Sequence, residues 1–335
     1  MFLLRPCRFG LLLALCAASQ MWAEPEVHAP KILRPEDTPA IEASDANEND
    51  ARPVANWLEV QVELARRGFS GGSIDGIHGS QSAAALRAFQ RCVGLNETGE
   101  LDQITAENLL LSAPAIGTHV FTADELSDLQ PVGTTWLAKS EQTALAYATA
   151  LESVAEQYHA SPNLLKKLNP KTDWNSVQAG TVVQVPDVEH ANPTGRAAQF
   201  HIRLAAHELE VTDENNRVIA HFPVSIARNV EKRPVGELHV TVVIPNPNYT
   251  FDPDVFPESP EAKELGRKLI IQPGPNNPVG VAWIGLDRPG YGIHGTPEPE
   301  KVGRTESHGC FRVANWDAQT LLNLAWVGLP VFVEP

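Results

Sequence analysis

The sequence has little of what two classes of protein need. It carries 26 Lys and Arg residues against 41 Asp and Glu, a formal net charge of −15, and no basic run beyond its N-terminus. Because binding a phosphate backbone needs clustered Lys and Arg, this composition argues against a nucleic-acid partner. Beyond the N-terminal segment, no apolar run approaches the roughly 20 residues that span a bilayer. The sequence therefore predicts no transmembrane helix in the body of the chain.

Cysteine is scarce as well, with four residues in 335. Cys7 and Cys16 lie in a signal-like N-terminal segment, so the exported chain would keep only Cys92 and Cys310. Two cysteines in an oxidising compartment can pair, and a structural disulfide between them is one interpretation. Cys92 follows Phe89 on an expected helix, where we otherwise expect it to be a buried small hydrophobe.

The N-terminus is typical of a secretory signal. Two arginines precede an apolar stretch over residues 9–18. We expect a signal peptide over residues 1–23, with cleavage after Ala23, and hence an exported protein of the periplasm or cell envelope. A lipoprotein signal at Cys16 is the alternative. Leu15 departs from it, because such signals carry a small residue before the cysteine.

The length of 335 residues exceeds one ordinary core and predicts two or three domains. Residues 24–55 are rich in Pro, Ala, Glu, Asp and Asn and poor in large apolar side chains. Such a segment cannot bury enough surface to offset its chain entropy. We therefore expect a disordered acidic linker that holds the folded part away from a membrane or wall.

Residues 56–112 have the spacing of a small helical bundle. One amphipathic helix ends at Gly68, Ser80 can cap a second, and a third is expected over 102–111. The segment resembles the three-helix peptidoglycan-binding domain of many wall hydrolases, which implies wall binding. A bundle with no ligand is the alternative. The resemblance is carried by Leu64, Gly68, Ile74, Asp75, Gly76, Gly79, Ala85, Phe89, Gln90, Gly94, Leu95, Gly99 and Thr105.

Residues 140–188 show a weaker pattern. Two short helices are expected, the second beginning at Ser161 and stopped by Asn169, followed by a turn and a strand over 180–186. With a degenerate opening strand around 146–150, the segment resembles a LysM-type β-α-α-β module, a family that binds N-acetylglucosamine polymers. The usual Gly-Asp-Thr of that strand is missing, and a structural spacer is the alternative.

Residues 198–334 change character, because strand-like stretches follow one another between turn residues. Strands are expected over 269–278 and 279–286, a helix over 317–325 and a closing strand over 329–334. The chain as a whole therefore predicts a multidomain α+β protein. A mostly-β C-terminal domain is preceded by a three-helix bundle and a small LysM-like βααβ module.

Two short segments of the C-terminal domain carry reactive residues. His294 lies in Tyr-Gly-Ile-His-Gly-Thr, and His308 and Cys310 lie in Ser-His-Gly-Cys-Phe-Arg. A cysteine is a useful nucleophile when its thiolate is populated, and a nearby imidazole can take the proton. Gly309 removes side-chain bulk beside the sulfur, which lets backbone N–H groups converge on a developing oxyanion.

Three other interpretations of these residues stay open. His294, His308 and Cys310 could be zinc ligands, although His-x-Cys is closer than the usual structural spacing and no fourth ligand is obvious. The histidines could be structural, with a buried cysteine. The domain could also be an inactive wall-binding scaffold.

Together the two segments resemble the signature of L,D-transpeptidases of the YkuD type. Residues 273–280, Pro-Gly-Pro-Asn-Asn-Pro-Val-Gly, add to the likeness, as do residues 234–237, although Arg233 and Glu237 depart from the family's pattern there. The resemblance extends over 198–334. It implies a mostly-β catalytic domain and a cysteine acyltransferase that requires no metal, nucleotide or other cofactor.

The resemblance also implies residue roles. Cys310 is the acylated nucleophile, His294 is the general base, and His308 shapes the pocket near the thiolate. Backbone N–H groups of Gly309 and Cys310 form the oxyanion hole. Arg312 is a candidate for holding a stem-peptide carboxylate, since a guanidinium matches that geometry. The other residues expected to line the site are Tyr291, Gly295 and Ser307.

The implied partner is peptidoglycan. Cys310 attacks a tetrapeptide stem and expels D-Ala, and an amine then resolves the thioester. An amine of another stem gives a 3-3 cross-link, and a lysine of a lipoprotein anchors that protein to the wall. If water attacks the thioester instead of an amine, the enzyme is an L,D-carboxypeptidase. The sequence leaves the choice of acceptor open.

Overall fold

The computed structural model describes residues 51–188, 193, 195–255, 260–305 and 309–335. The expected signal peptide and nearly all of the expected linker lie outside these ranges. Three parts follow one another: an N-terminal module (51–111), a central module (116–186) and a C-terminal domain (198–334). None of the helices in the described ranges is long and apolar enough to cross a membrane.

The N-terminal module is a small helical bundle. Its elements are β1 Arg52–Pro53, α1 Trp57–Arg66, α2 Ser80–Cys92, α3 Gln103–Asn108 and β2 Leu110–Leu111. The Asn56 side chain caps α1 by accepting from the Glu59 N–H, and Asp102 caps α3 similarly. Gly79, rather than the predicted Ser80, is the N-cap of α2, and Ser80 is the first helical residue.

Two local features end the helices of this module. Gly68, two residues after α1, has φ +83°, a left-handed conformation that favours glycine. The third helix is shorter than the predicted 102–111 because Leu110–Leu111 pairs antiparallel with Arg52–Pro53. Side chains of α1 and α2 enclose a core around the fully buried Phe89.

The central module surrounds a two-stranded antiparallel sheet. Its elements are β3 Ile116–Val120, α4 Ala123–Ser127, α5 Trp136–Glu141, α6 Ala150–Gln157, α7 Pro162–Leu168 and β4 Val182–Pro186. Val154, Leu165 and Val183 bring α6, α7 and β4 into one core. A strand, two packed helices and a closing strand are therefore present, with α4 and α5 inserted after the first strand. The sugar-binding interpretation stays a prediction.

The predicted opening strand around 146–150 is wrong. Thr149 caps α6, and the strand that pairs with β4 is β3, which precedes the predicted boundary at residue 140. Val183 and Val185 of β4 are buried and need a partner strand, which the chain supplies from the far side of a long insertion. Local sequence could not show this pairing.

The insertion between β3 and α6 packs on the C-terminal domain. Leu145 and Trp136 join an apolar cluster with Phe251 and Ile271. The N–H of Leu145 also donates to the carbonyl of Pro273 at 2.8 Å. The central module therefore contacts the C-terminal domain through this insertion, which is separated in sequence from the module's own β3–β4 sheet.

The C-terminal domain is a curled, mostly-β structure. Its elements in chain order are β5 Gln199–Arg203, β6 Glu208–Thr212, β7 Val218–Pro223, β8 Gly236–Pro245, β9 Tyr249–Phe251, α8 Pro260–Leu265, β10 Leu269–Ile271, β11 Ala282–Leu286, β12 Gly292–His294, β13 Phe311–Arg312, α9 Asn315–Leu324 and β14 Pro330–Glu334. Eight strands form one sheet in the order β13-β12-β11-β8-β14-β5-β6-β7, and β9 pairs with β10. The predicted multidomain α+β class, with a mostly-β C-terminal domain that follows a helical module, is confirmed.

The two ends of this eight-stranded sheet meet. Ser225, just beyond β7, exchanges backbone hydrogen bonds of 2.8 and 3.0 Å with Arg312 of β13. The interior is filled by apolar side chains that include Phe200, Phe311 and Leu321. β12 and β13 are therefore hydrogen-bonded to neighbours on both sides.

The strands predicted over 269–278 and 279–286 are shorter in the structure. Buried Asn277 organises the loop between them, because its Nδ2 donates to the carbonyl of Gln272 at 2.8 Å and its Oδ1 accepts from the N–H of Val279 at 2.9 Å. A side chain satisfies backbone groups that a ladder would otherwise pair.

The loop after α1 joins the N-terminal module to both other parts. The N–H of Ser70 donates to the carbonyl of His221 at 2.8 Å, and the N–H of His221 donates to the carbonyl of Gly68 at 3.0 Å. A few residues later, Ile74 forms a parallel bridge with Ala160 of the central module.

Candidate active site

The two reactive segments lie on neighbouring strands. β12 and β13 are parallel, and their register places Ile293 beside Phe311 and His294 beside Arg312. Side chains alternate along a strand, and Ile293 and Phe311 face the core, where each is 1% exposed. His294 and Arg312 therefore share the opposite face. Cys310 directly precedes β13, and its sulfur interacts with the Gly292 N–H and with the charge of Arg312, which brings it to the same face. Diagonal neighbours on adjacent strands lie about 7–8 Å apart, a span that long side chains can bridge.

His294 is held in one tautomer. Its side chain is 6% exposed, and its Nδ1 lies 2.6 Å from the carbonyl oxygen of Gly295. A carbonyl oxygen only accepts, so Nδ1 carries the hydrogen and Nε2 keeps its lone pair. Burial lowers the pKa of His294 to about 4, so the imidazole is neutral near pH 7. A neutral imidazole with a free Nε2 lone pair is the form that a general base needs.

Trp283 fixes the plane of this imidazole. The two rings stack at 5.6 Å between centroids with 21° between their planes. The indole also covers Gly292, where an added Cβ would lie 2.7 Å from ring atom Cζ2. Glycine at this position therefore lets the indole lie close to β12 beside His294.

Cys310 is a thiol at rest. Burial raises the pKa of Cys310 above its ordinary value, while the Gly292 N–H and the charge of Arg312 act in the opposite direction. The thiol donates to the carbonyl of Gly290 with Sγ 3.4 Å from the oxygen. Since His294 is neutral as well, the geometry favours proton transfer during attack over a preformed thiolate–imidazolium pair.

Arg312 is half-buried on the same face. Its backbone is held by Ser225, and burial lowers the pKa of its guanidinium, while Glu298 and Cys310 act to raise it. A guanidinium nevertheless stays charged in proteins. Beside the sulfur it can attract a carboxylate.

Tyr291 and Gly295, both expected to line the site, have other principal contacts. Tyr291 packs against the apolar core, with the guanidinium of Arg288 4.6 Å from its ring centroid. At Gly295 an added Cβ would lie 2.3 Å from Oδ1 of Asn315. Gly295 therefore permits a close approach behind the imidazole.

Space is available beside Gly309. No described atom lies within 4 Å of the position that a Cβ would take there. Ser307 and His308 lie outside the described residues, so their expected roles stay predictions.

The disulfide interpretation is wrong, because neither Cys92 nor Cys310 forms a disulfide. Cys92 lies at the end of α2, partly buried against the core of the N-terminal module, whereas Cys310 precedes β13. The zinc interpretation requires His308, which is not described. Among the described residues, no group of three His, Cys, Asp or Glu side chains is arranged to hold a metal ion.

Comparison with known families assigns two parts of the chain. Residues 198–333 match the YkuD model, described as the L,D-transpeptidase catalytic domain. Residues 198–333 form an L,D-transpeptidase catalytic domain. Residues 54–109 match the model described as "Putative peptidoglycan binding domain". The family resemblance predicted from the sequence is confirmed for both segments.

Relatives of the L,D-transpeptidase domain occur in several bacteria. "Putative L,D-transpeptidase YkuD" of Bacillus licheniformis is 26% identical over 185 residues, which cover 55% of this chain and 93% of the relative. "Putative L,D-transpeptidase YqjB" of Bacillus subtilis is 34% identical over 125 residues, 36% of this chain and 61% of the relative. The crystal structure of L,D-transpeptidase 3 from Mycobacterium tuberculosis aligns with 48% of this chain and 77% of its own at 18% identity and TM-score 0.33.

A cleft of about 560 Å³ in the L,D-transpeptidase domain reaches Trp283, the residue that stacks on His294. Trp283 and Tyr249 line it, together with Pro273 of the loop before β11. Burial raises the pKa of Tyr249, and the charge of an ionised Cys310 adds to this effect, so phenol and sulfur lie near one another. The cleft is therefore a candidate for the substrate groove of the L,D-transpeptidase domain.

Two residues of this site were missed by sequence reasoning. Trp283 stands directly opposite His294 in the antiparallel β11–β12 register, so a correct strand pairing would have found it. Asn315 begins α9 and accepts from the backbone N–H groups of Val281 and of Thr296, the residue after Gly295, and nothing local in the sequence indicates this.

Proposed function

We propose that the chain is an exported enzyme that acylates Cys310 with a peptidoglycan stem peptide and passes the acyl group to an amine. The observation that carries this proposal is the 2.6 Å contact from His294 Nδ1 to the Gly295 carbonyl, on the face that also carries Cys310. It leaves Nε2 as the only basic atom of the ring.

The first half-reaction consumes a tetrapeptide stem. The sulfur of Cys310 bonds to the carbonyl carbon at the L-centre of diaminopimelate, and His294 Nε2 takes the thiol proton. Backbone N–H groups of Gly309 and Cys310 stabilise the oxyanion. The C–N bond to D-Ala then breaks, and the proton on His294 passes to the leaving amine.

The second half-reaction regenerates the thiol. An acceptor amine attacks the thioester, the new C–N bond forms, the C–S bond breaks, and the amine proton returns through His294 to the sulfur. Arg312 holds a carboxylate of the stem, because its charge lies beside the reacting centre. An amine on a second stem yields a 3-3 cross-link, and one on a wall-anchored protein attaches that protein.

The N-terminal module supplies wall affinity in this proposal. Its match to a peptidoglycan-binding model supports that role. Retention on isolated sacculi, measured by sedimentation, tests it, and recovery of the protein in the supernatant at all wall concentrations would refute it.

Mass analysis of products tests the proposed reaction. Purified enzyme is incubated with tetrapeptide muropeptides, and Cys310→Ala serves as the matched control. Cross-linked dimers with loss of D-Ala are expected from the wild type and not from the variant. If tripeptide monomers are the only products, the reaction is hydrolysis with water as the acceptor, and the proposed transfer is refuted. If no muropeptide changes, the catalytic proposal is refuted, and the alternative of an inactive wall-binding scaffold is favoured.

A further inference from the structure

The amide of Asn315 is fully engaged behind the candidate active site. Its Oδ1 accepts from the backbone N–H of Thr296 at 3.1 Å and of Val281 at 3.3 Å. Its Nδ2 donates to the carbonyl of Pro275 at 3.1 Å and to the carboxyl of Glu156 at 2.8 Å. Backbone N–H groups only donate and carbonyls only accept, so the amide has one possible orientation.

This amide presses directly on the segment that follows His294. Added Cβ atoms at Gly280 and Gly295 would lie 2.0 and 2.3 Å from Asn315 Oδ1, so the amide occupies the space that only glycine leaves. The peptide bond between Gly295 and Thr296 contains both the N–H held by Asn315 and the carbonyl that receives His294 Nδ1. Because a peptide unit is planar, fixing the N–H fixes the carbonyl.

Glu156 comes from a different part of the chain. It lies on α6 of the central module, is 5% exposed, and also accepts from the hydroxyl of Tyr147. Burial raises the pKa of Glu156 to about 8, so the group is mostly a neutral acid at pH 7. A neutral partner suits an uncharged amide and lets glutamine act as a close substitute.

We infer that Glu156 is a positioning residue for His294, supplied by the central module, which acts through Asn315 and the Gly295–Thr296 peptide. The central module is thereby part of the catalytic unit as well as a connector. The inference rests on the proposed role of His294 in activating Cys310.

A second contact of the same helix offers a matched control. Glu152 of α6 accepts from Nδ2 of Asn276 at 2.6 Å, and Asn276 also donates to the carbonyl of Ala146. These bonds join the same two parts of the molecule without touching the Gly295–Thr296 peptide. Breaking them tests general loosening of the interface.

The experiment compares full-length Glu156→Leu, Glu156→Gln and Asn276→Ala with the wild type. Acylation of Cys310 by a carbapenem is followed by intact mass at pH 7, where His294 must take the thiol proton. Alkylation of the Cys310 peptide by iodoacetamide is followed at pH 9.5, where hydroxide takes it. Loss of about tenfold or more in acylation is expected for Glu156→Leu, with both other variants within threefold of the wild type and alkylation unchanged throughout.

Two results would overturn the inference. One is wild-type acylation by folded Glu156→Leu, and the other is an equal loss of acylation and alkylation, which would indicate a merely structural role. If Glu156→Leu does not fold, Glu156→Asp decides. Its carboxyl is withdrawn by one methylene, so its acylation must fall below that of Glu156→Gln, and equal rates would refute the inference.

His294→Gln separates this inference from the proposed function. If that variant acylates like the wild type, the base role of His294 fails and the inference fails with it. If His294→Gln is slow and Glu156→Leu is not, only the positioning role is lost.

Discussion

Cys92 and Cys310 are both partly buried thiols outside any disulfide, and the pKa of each is raised chiefly by burial. Cys92 lies at the end of a helix, beside a pocket that it shares with Arg67 and Arg217. Cys310 lies at the start of a strand, on the face that carries a neutral imidazole. Burial therefore does not distinguish the two thiols.

What distinguishes them is the backbone around each sulfur. The groups acting on Cys92 after burial are the charges of Arg217, Asp213 and Arg67, none of which is matched to remove a thiol proton near pH 7. Around Cys310, a parallel strand pair sets the position of His294, and a carbonyl sets its tautomer. Reactivity follows from strand register more than from local charge.

Removing each thiol gives the largest contrast. Cys310→Ala should lose acyl transfer by more than about 10³-fold, because no nucleophile is left. Cys92→Ala should transfer at the wild-type rate. Muropeptide turnover and the mass of the carbapenem adduct are measured for both variants. An adduct on Cys310→Ala would show that another residue is the nucleophile.

Removing the imidazole should have the next largest effect. His294→Gln keeps a polar side chain of similar length but offers no basic nitrogen, so acylation should fall by about 10²- to 10⁴-fold. Iodoacetamide alkylation of Cys92 in the same sample provides the internal control and should be unchanged. If acylation of His294→Gln is undiminished, Cys310 reacts without a histidine base, as Cys92 does.

The pH dependence sharpens the contrast further. Protonation of His294 removes its lone pair, so acylation should fall only as the pH drops through about 4, below the ordinary histidine pKa of about 6.5. Alkylation of Cys92, on which the described residues act only through burial and the charges of Arg217, Asp213 and Arg67, should instead keep rising with pH above 9. Rate profiles between pH 3.5 and 10 measure both limbs, and an acid limb centred near 6.5 would mean that His294 is more hydrated than its burial indicates.

The smallest expected effect is structural. Cys92→Ser should lower the free energy of unfolding by about 1 kcal/mol, since a hydroxyl is less favourable than a thiol against the module's core. Its acylation rate should be unchanged. Urea denaturation followed by fluorescence measures the stability, and a changed acylation rate would indicate coupling between the two thiol regions.

Local sequence predicted the parts of this molecule that depend on short spacings. The two reactive segments, the α1 end at Gly68 and the mostly-β character of residues 198–334 were all accessible, because alternation, capping and glycine conformation act over a few residues. The predicted buried state of Cys92 was too strong, since it is only partly buried at the edge of its core.

Long-range pairing was not accessible from the sequence. β3 and β4 are separated by an insertion and two helices, and Glu156 reaches Asn315 across 159 positions. No local signal marks either partner, because each residue satisfies its own helix or strand pattern equally well without the other. The interpretation of a disulfide between Cys92 and Cys310 was wrong for a related reason. The number of cysteines in a sequence does not show which of them lie close together in the fold.

The pairing of Gly68 and Ser70 with His221 has a practical consequence. These backbone hydrogen bonds pair with β7, the outer strand of the eight-stranded sheet. Without them, the N–H and C=O groups of His221 would be open to pairing with a strand of another chain. A truncated enzyme that begins after residue 112 would lose this cover and be prone to self-association. Reduced turnover by such a fragment would then report aggregation as much as weakened wall recognition.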